Sequence, residues 1–221
     1  MPIDPWPQTH AHCNACGGER WHAVMYSYRE QAGGVEPKAA TYEFLRCSGC
    51  EEIKLRKTEI LSSDRESSDK VVPHVTYFPS ALIRPKPKWL LDLFAETIFE
   101  PSASVYALLS EVYVTLQNGA PSLAAMGIRA IIEAVMIEKL GDSGTFRENL
   151  ASLLHKGLIS ELDAQHLRTI LDVGHAAIHR AHVPSIETVL GALDIAEALV
   201  KRLYLDHIVV AAAKASTPTR K

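Results

Sequence analysis

The sequence predicts a mainly α-helical protein that is preceded by a small β module. From about residue 88 onward, apolar residues recur at intervals of three and four, the pattern of amphipathic helices. Before that point, short aromatic and β-branched runs indicate strands, and this segment holds all four cysteines. We therefore expect a β module at 1–60, a Pro/Ser-rich linker at 61–87, a helical domain at 88–210 and a flexible tail at 211–221.

The strands of the β module follow from residue type and alternation. Residues 21–28 and 41–45 are rich in aromatic and β-favouring side chains, and the glycine pair at 33–34 supplies a turn between them. Residues 53–56 alternate apolar and basic side chains, which predicts a half-buried strand with Ile53 and Leu55 facing inward. These elements would bring the two ends of the module together.

Six helices are expected in the second part of the chain. The first begins near Trp89, and the second carries an apolar stripe between Val105 and Leu116. Small polar residues can cap the later helices because their side chains accept hydrogen bonds from the first free amides. The candidate caps are Ser122, Thr145, Ser160 and Ser185.

The overall composition excludes several classes of protein. Hydrophobic residues make up 47% and charged residues 22%, which predicts a packed core rather than global disorder. A net charge of −3 argues against a protein whose main role is to coat nucleic acid. The chain has neither a long apolar run nor a secretory signal, so we expect a cytoplasmic protein with no membrane partner.

The cysteines have the spacing of a metal site. Two Cys-x-x-Cys pairs are separated by thirty residues, and their members are Cys13, Cys16, Cys47 and Cys50. Two such pairs complete the tetrahedral sulfur site that zinc prefers, which predicts a zinc ribbon with one structural Zn²⁺ per chain. The alternative is two redox-active pairs, but neither pair begins a helix within a βαβ unit. The neighbouring histidines are expected to face solvent rather than the metal: His10, His12 and His22.

Basic residues beside the metal site leave the binding partner open. Lys54, Arg56 and Lys57 could contact phosphates, or they could form an ordinary solvated strand edge. A binding role would also be served by a basic or apolar patch on the β module or around Arg84, Lys86 and Lys88. A protein partner and a nucleic acid are therefore both compatible with the sequence.

Three stretches of the helical part carry a family resemblance: residues 111–113, Leu123 to Glu133, and Asp172 to Arg180. With these stretches, the segment from Leu109 to Tyr204 resembles the bacterial helical family catalogued as domain of unknown function 4145, a relative of the HEPN superfamily. The resemblance implies a compact HEPN-like helical bundle, often linked to anti-phage defence. It also implies frequent dimerisation, and some HEPN relatives are metal-independent ribonucleases.

The ribonuclease motif of the HEPN relatives is only partly matched. That motif places an arginine and a polar residue ahead of a histidine, so that histidine moves a proton and arginine stabilises the phosphate. If His179 is the motif histidine, Gly174 occupies the arginine position. The other register pairs Arg168 with His175, and there Thr169 follows the arginine. Any ribonuclease activity would use one of these two histidines.

Helical periodicity places several polar residues in one line. Arg168, Asp172, His175 and His179, together with His182 if the helix reaches that far, fall within an arc of about 80°, beside the apolar stripe of the same helix. This line could be a structural network, a ligand or dimer site, a catalytic site or a metal site. The candidate binding residues are Arg129, Glu133, Asp172, His175, His179 and Arg180.

Three functions remain open from the sequence. The first is a zinc-binding accessory or adaptor protein, homodimeric through its helical domain, in nucleic-acid-directed or anti-phage defence. The second is a metal-independent ribonuclease that uses His179 or His175 with Arg168. The third is a protein-binding regulator with no nucleic-acid role. We favour the first, and thus a binding role over an enzymatic one.

Overall fold

The computed structural model describes residues 6–32, 38–60, 73–97 and 103–217. The chain divides into two compact units, Met1–Ile83 and Arg84–Lys221. The first unit contains the strands and the second contains the helices. Among the described residues, none of the helices combines the length and the apolar character that crossing a bilayer requires.

The first unit is a five-stranded antiparallel sheet in which neighbours in sequence are neighbours in space. Its strands are β1 (Gln8–His12), β2 (Glu19–Ala32), β3 (Lys38–Cys47), β4 (Ile53–Ile60) and β5 (His74–Phe78). β2 and β3 form the long central hairpin, and the register between them shifts at a bulge between Val24 and Tyr26. β1 pairs with β2 only from Glu19 to Ala23.

The predicted fold class, a HEPN-like helical bundle preceded by a small β ribbon, was wrong because the N-terminal unit is a substantial sheet. One reason is β5, which lies inside the segment 61–87 that the proline content had assigned to a linker. Pro73 and Pro79 flank this strand rather than interrupt it, so the ladder keeps its amide donors. The remainder of the predicted linker up to this strand, residues 61–72, lies outside the described residues.

The second unit contains seven helices within its described residues. They are α1 (Trp89–Thr97), α2 (Ala103–Gln117), α3 (Pro121–Leu140), α4 (Phe146–His155), α5 (Glu161–His179), α6 (Ile186–Tyr204) and α7 (Asp206–Ser216). The predicted caps Thr145, Ser160 and Ser185 are confirmed, because each accepts a hydrogen bond from the third amide of its helix. Ser122 is not a cap, because α3 begins at Pro121 with Ala120 before it. The seventh helix, α7, extends into the segment that the sequence assigned to a flexible tail.

The core of the helical unit is continuous and centres on α3. This helix packs against α2, α4, α5 and α6. Two glycines allow α3 to pack closely against its neighbouring helices. A β-carbon on Gly127 would lie 2.6 Å from Val112 Cγ2, on α2. A β-carbon on Gly174 would lie 2.8 Å from Arg129 Cβ, so α5 and α3 meet where Arg129 leaves the backbone.

Candidate functional site

Two turns of the sheet unit carry the four cysteines. Cys13 follows β1, and the chain reverses through Gly17 and Gly18, whose φ values of 69° and 85° suit glycine. Cys47 is the last residue of β3, and Cys50 lies in the turn before β4. The amides of Cys13 and Cys47 close these turns on the carbonyls of Gly18 and Glu52, each at 2.9 Å. The sheet thus brings together pairs that are thirty residues apart in sequence.

The four sulfur atoms have the spacing of a tetrahedral metal site. All of them lie within 4.8 Å of one another. Cys13 Sγ is 3.4 Å from Cys50 Sγ, and Cys16 Sγ is 3.9 Å from Cys47 Sγ. A tetrahedron with metal–sulfur bonds of ~2.3 Å has sulfur–sulfur edges of about 3.8 Å, so these residues fit one ion. Because the four thiols are free, they remain available as ligands.

Amide groups and burial set the chemistry of the thiols. The amides of Cys16 and Gly49 each lie 3.4 Å from a sulfur, on Cys13 and Cys47 respectively. Burial opposes ionisation of Cys47, but the amides of Cys50 and Gly49 outweigh it and lower the pKa of that thiol to about 7. Burial raises the pKa of Cys13 above its usual range. Binding of a metal ion would therefore release protons, since only thiolates are ligands.

A carboxylate supports the first cysteine turn from outside. Glu52 Oε2 accepts hydrogen bonds from the amide of Asn14 at 3.1 Å and from the amide of Ala15 at 3.3 Å. The Asn14 side chain in turn bonds Ser80 and Leu82, at 3.0 and 2.9 Å. These contacts tie the first cysteine turn to the start of β4 and to the segment that follows β5, which fixes the position of that turn.

The neighbouring histidines do not complete the metal site. Among the described residues, the cysteine cluster is the group whose ligand atoms converge on one position. His10 is exposed, as expected, and its ring lies 3.9 Å from that of Trp21. His22 was expected to face solvent, and this was wrong because its side chain is fully buried beside β3. Its Nδ1 lies 2.9 Å from the carbonyl oxygen of Arg20.

Four of the residues singled out on the predicted helices line one pocket of the helical unit. Arg129 on α3 and three residues of α5, Arg168, Asp172 and His175, surround a pocket of about 580 Å³. Its other walls come mainly from α4. The residues that complete the lining are Phe146, Arg147, Leu150, Ala151 and Leu171.

The remaining candidates lie outside this pocket. His179 is not part of the lining, although its ring lies 4.4 Å from that of His175. Glu133 does not line the pocket, and Arg180 lies where α5 has already ended. Sequence reasoning missed Phe146 and Arg147. They follow the confirmed cap Thr145, so helical periodicity could have put them on one helix but could not show that α4 faces α5.

Taken together, the fold and the sites define a protein with a four-cysteine centre in a sheet unit and a charged pocket in a helical unit. The sequence model of the family described as Domain of unknown function (DUF4145) matches residues 110–221. This is more than half of the chain, so the protein belongs to that family, which confirms this part of the resemblance. No curated protein and no solved structure matches the chain.

Proposed function

We propose that this chain is a zinc-stabilised adaptor protein whose sheet unit holds a segment of a partner protein. The observation that carries this proposal is a strand edge that has no partner among the described residues and lies beside exposed aromatic residues. The resemblance of the second unit to HEPN-like domains supports an accessory role in a nucleic-acid-directed or anti-phage defence system. The four-cysteine centre supports the sheet, because four sulfur ligands close a zinc site and leave no position for a substrate.

The unpaired edge belongs to β2. β1 pairs with β2 only as far as Ala23, so within the described residues the backbone of 25–32 pairs with β3 alone. Tyr26 and Tyr28 on this stretch are 62% and 53% exposed. A strand edge with free amides and carbonyls is a template for another strand, and aromatic side chains supply much of the affinity at protein interfaces.

The aromatic residues extend across the sheet. Tyr26 pairs with Phe44, Tyr28 pairs with Tyr42, and the Tyr28 and Tyr42 ring centroids are 6.4 Å apart. Cross-strand partners share a face, so these four residues form one surface, which we call the aromatic face. An extended peptide on the β2 edge would present alternate side chains to it.

The charges of the sheet favour a protein partner over a nucleic acid. Arg56 is paired with Glu43 and Lys57 is paired with Glu59, at 2.8 and 2.7 Å. Lys54 is 1% exposed and donates to the carbonyl of His12. The basic side chains of β4 are therefore engaged within the sheet, which leaves them less available to bind phosphates.

The adaptor role is tested by isolating the full chain with its partner from its native source. We expect one protein at a constant ratio, and the purified partner should bind the purified chain. A Tyr26→Ser/Tyr28→Ser variant should bind at least tenfold more weakly, as expected for hot-spot aromatics. Phe78→Ser is the matched control, because Phe78 is 52% exposed at the other edge of the sheet. Equal binding by wild type and the double variant would refute the assignment of this edge.

The metal part of the proposal has its own test. Elemental analysis of freshly purified protein should find about one zinc per chain. Cys47→Ser should lose the metal and unfold the sheet unit while the helical circular dichroism signal persists, because binding of a structural metal contributes folding free energy. Protein that is folded, metal-free and freely reactive at all four thiols would contradict a structural zinc site.

One observation favours the second candidate, a ribonuclease. Arg168 and His175 line the same pocket, so a proton-transfer group and a phosphate-stabilising group could reach one substrate. Cleavage of single-stranded RNA by the wild type, lost in stably folded His175→Ala protein, would establish this activity. Loss of activity in His179→Ala alone would point instead to the other register.

We also propose that the chain is a homodimer through its helical unit. In support of this, α7 has no buried residue, and its Val209 and Val210 are 62% and 65% exposed. A second copy would remove this apolar surface from water. Light scattering at micromolar concentration should give twice the monomer mass, and Val209→Lys should lower it. A monomeric wild type would refute the proposal.

A further inference from the structure

Pro7 marks the point at which β2 loses its partner on one side. The amide of Val24 donates to the carbonyl oxygen of Pro7 at 2.8 Å, but Pro7 has no amide with which to return a hydrogen bond. The ladder between β1 and β2 therefore ends here, and the bulge between Val24 and Tyr26 follows directly. Beyond it, residues 25–32 pair with β3 and have no second strand among the described residues. We call this stretch the open edge.

The open edge presents different side chains on the two faces of the sheet. Side chains alternate along a strand, so Tyr26 and Tyr28 lie on the aromatic face, while Ser27 and Arg29 lie on the opposite face. A strand added to this edge would alternate in the same way and would place side chains on both faces. The two faces therefore set two separate requirements for the sequence of the added strand.

The aromatic face requires apolar side chains from the added strand. Tyr26 and Tyr28 are more than half exposed, and the Tyr28 ring lies beside that of Tyr42. Lys57 lies 5.7 Å from the centre of the Tyr42 ring, but it is paired with Glu59 at 2.7 Å. Aromatic residues pair favourably with aromatic and β-branched residues directly across a ladder. The added strand should therefore place apolar side chains opposite Tyr26 and Tyr28.

The opposite face requires an acidic side chain. Arg29 is exposed, and the residue directly across from it on β3 is Thr41. The carboxylate diagonal to it on this face, that of Glu43, is already paired with Arg56 at 2.8 Å. Among the described residues, Arg29 forms no ion pair. Opposite charges directly across a ladder stabilise the pairing, so Asp or Glu in the added strand would complement Arg29.

We propose that the open edge binds a partner strand with the pattern acidic–apolar–any–apolar, read from the N-terminus of the partner. The acidic residue lies opposite Arg29, and the two apolar residues lie opposite Tyr28 and Tyr26. This order follows from antiparallel pairing, which every neighbouring pair of strands in the sheet shows and which is slightly more stable than parallel pairing. The inference rests on the adaptor role proposed above and adds to it the chemistry of the partner segment.

The test is fluorescence anisotropy of the full-length, zinc-loaded protein with a labelled peptide, Ser-Thr-Thr-Glu-Val-Thr-Val-Ser. Replacing both valines with serine should weaken binding about tenfold or more, and so should the Tyr26→Ser/Tyr28→Ser variant, because each removes apolar surface from the contact. Two further peptides are N-methylated, one at its odd and one at its even positions. Only one of these two should lose binding, since alternate amides of a strand point towards its neighbour.

A charge exchange tests the acidic position. At low ionic strength, wild type should bind the peptide about fivefold more tightly than a peptide with lysine in place of glutamate, as expected for an exposed ion pair that becomes a repulsion. Arg29→Glu should reverse this preference and should hardly change the melting temperature, because the side chain is exposed. Arg20→Glu is the matched control, since it makes the same change on the part of β2 that pairs with β1. It should keep the wild-type preference.

Three results would overturn the inference. The first is the absence of peptide binding at millimolar concentration. The second is equal binding of the glutamate and lysine peptides by wild type, or a reversed preference in Arg20→Glu as well. The third is equal binding of the two N-methylated peptides, which would mean that no strand forms. The adaptor role is judged separately: a native partner that needs Tyr26 and Tyr28 but binds Arg29→Glu as tightly as wild type would retain that role and refute the acidic position.

Discussion

Replacing Glu197 should destabilise the helical unit more than any exposed charge does. Glu197 on α6 is 8% exposed, accepts a hydrogen bond from the hydroxyl of Tyr113 on α2, and pairs with Arg84 at 2.7 Å. Glu197→Ala leaves the buried Tyr113 hydroxyl without this acceptor, which costs about 1–3 kcal/mol. Arg84 keeps Asp194 at 2.5 Å, so the loss of its second partner adds under about 1 kcal/mol. We expect a total of about 1–4 kcal/mol.

The assay is urea unfolding followed by the helical circular dichroism signal, with Asp194→Ala as the matched control. Asp194 pairs with the same arginine, but its side chain is 63% exposed, so its loss should cost less than about 1 kcal/mol. Tyr113→Phe should recover part of the loss in the Glu197→Ala background, because it removes the orphaned hydroxyl. Equal stability of Glu197→Ala and wild type, or equal losses in the two acidic variants, would refute the reasoning.

Two further predictions concern pH and the metal. Arg202, together with the Ser160 amide and hydroxyl, lowers the pKa of Asp163 from 3.8 to about 2. The stabilisation that the ionised Asp163 contributes is present above pH 4 and is lost as pH falls through 2. Urea unfolding should therefore show Asp163→Asn to be about 1–2 kcal/mol less stable than wild type at pH 7. The difference in stability between the two proteins should be smaller at pH 3. Gly49→Ala should weaken zinc binding roughly tenfold in a chelator competition, because its β-carbon would lie 3.3 Å from Cys16 Sγ; unchanged affinity would contradict this.

Features encoded over a few residues could be predicted from the sequence. The Cys-x-x-Cys spacing predicted a four-cysteine cluster, and the sulfur atoms do converge. The caps Thr145 and Ser160 were identified because a cap bonds an amide only three residues away. Such interactions depend on residues close together in sequence, so they can be recognised from the sequence without knowledge of the fold.

Features that depend on distant partners could not be predicted. Alternation placed Ile53 inward and Lys54 outward on β4, yet Ile53 is 49% exposed and Lys54 is 1% exposed. Lys54 reaches the His12 carbonyl and lies 5.0 Å from the centre of the Tyr77 ring, so two remote strands satisfy its charge. The arginine pocket was missed in the same way, because α4 meets α3 and α5 only after the helices have packed.

The central position of α3 determines how its backbone amides exchange with solvent. Because α3 packs on four other helices, its amides can exchange with solvent only when most of the helical unit opens. α7, with no buried residue, should exchange first. The pocket therefore joins α3, which should exchange slowest, to the shorter α4, through Arg129 and Arg147 respectively. A ligand that bridges them would extend the protection of α3 to α4, and deuterium uptake would reveal the occupied pocket without any measure of catalysis.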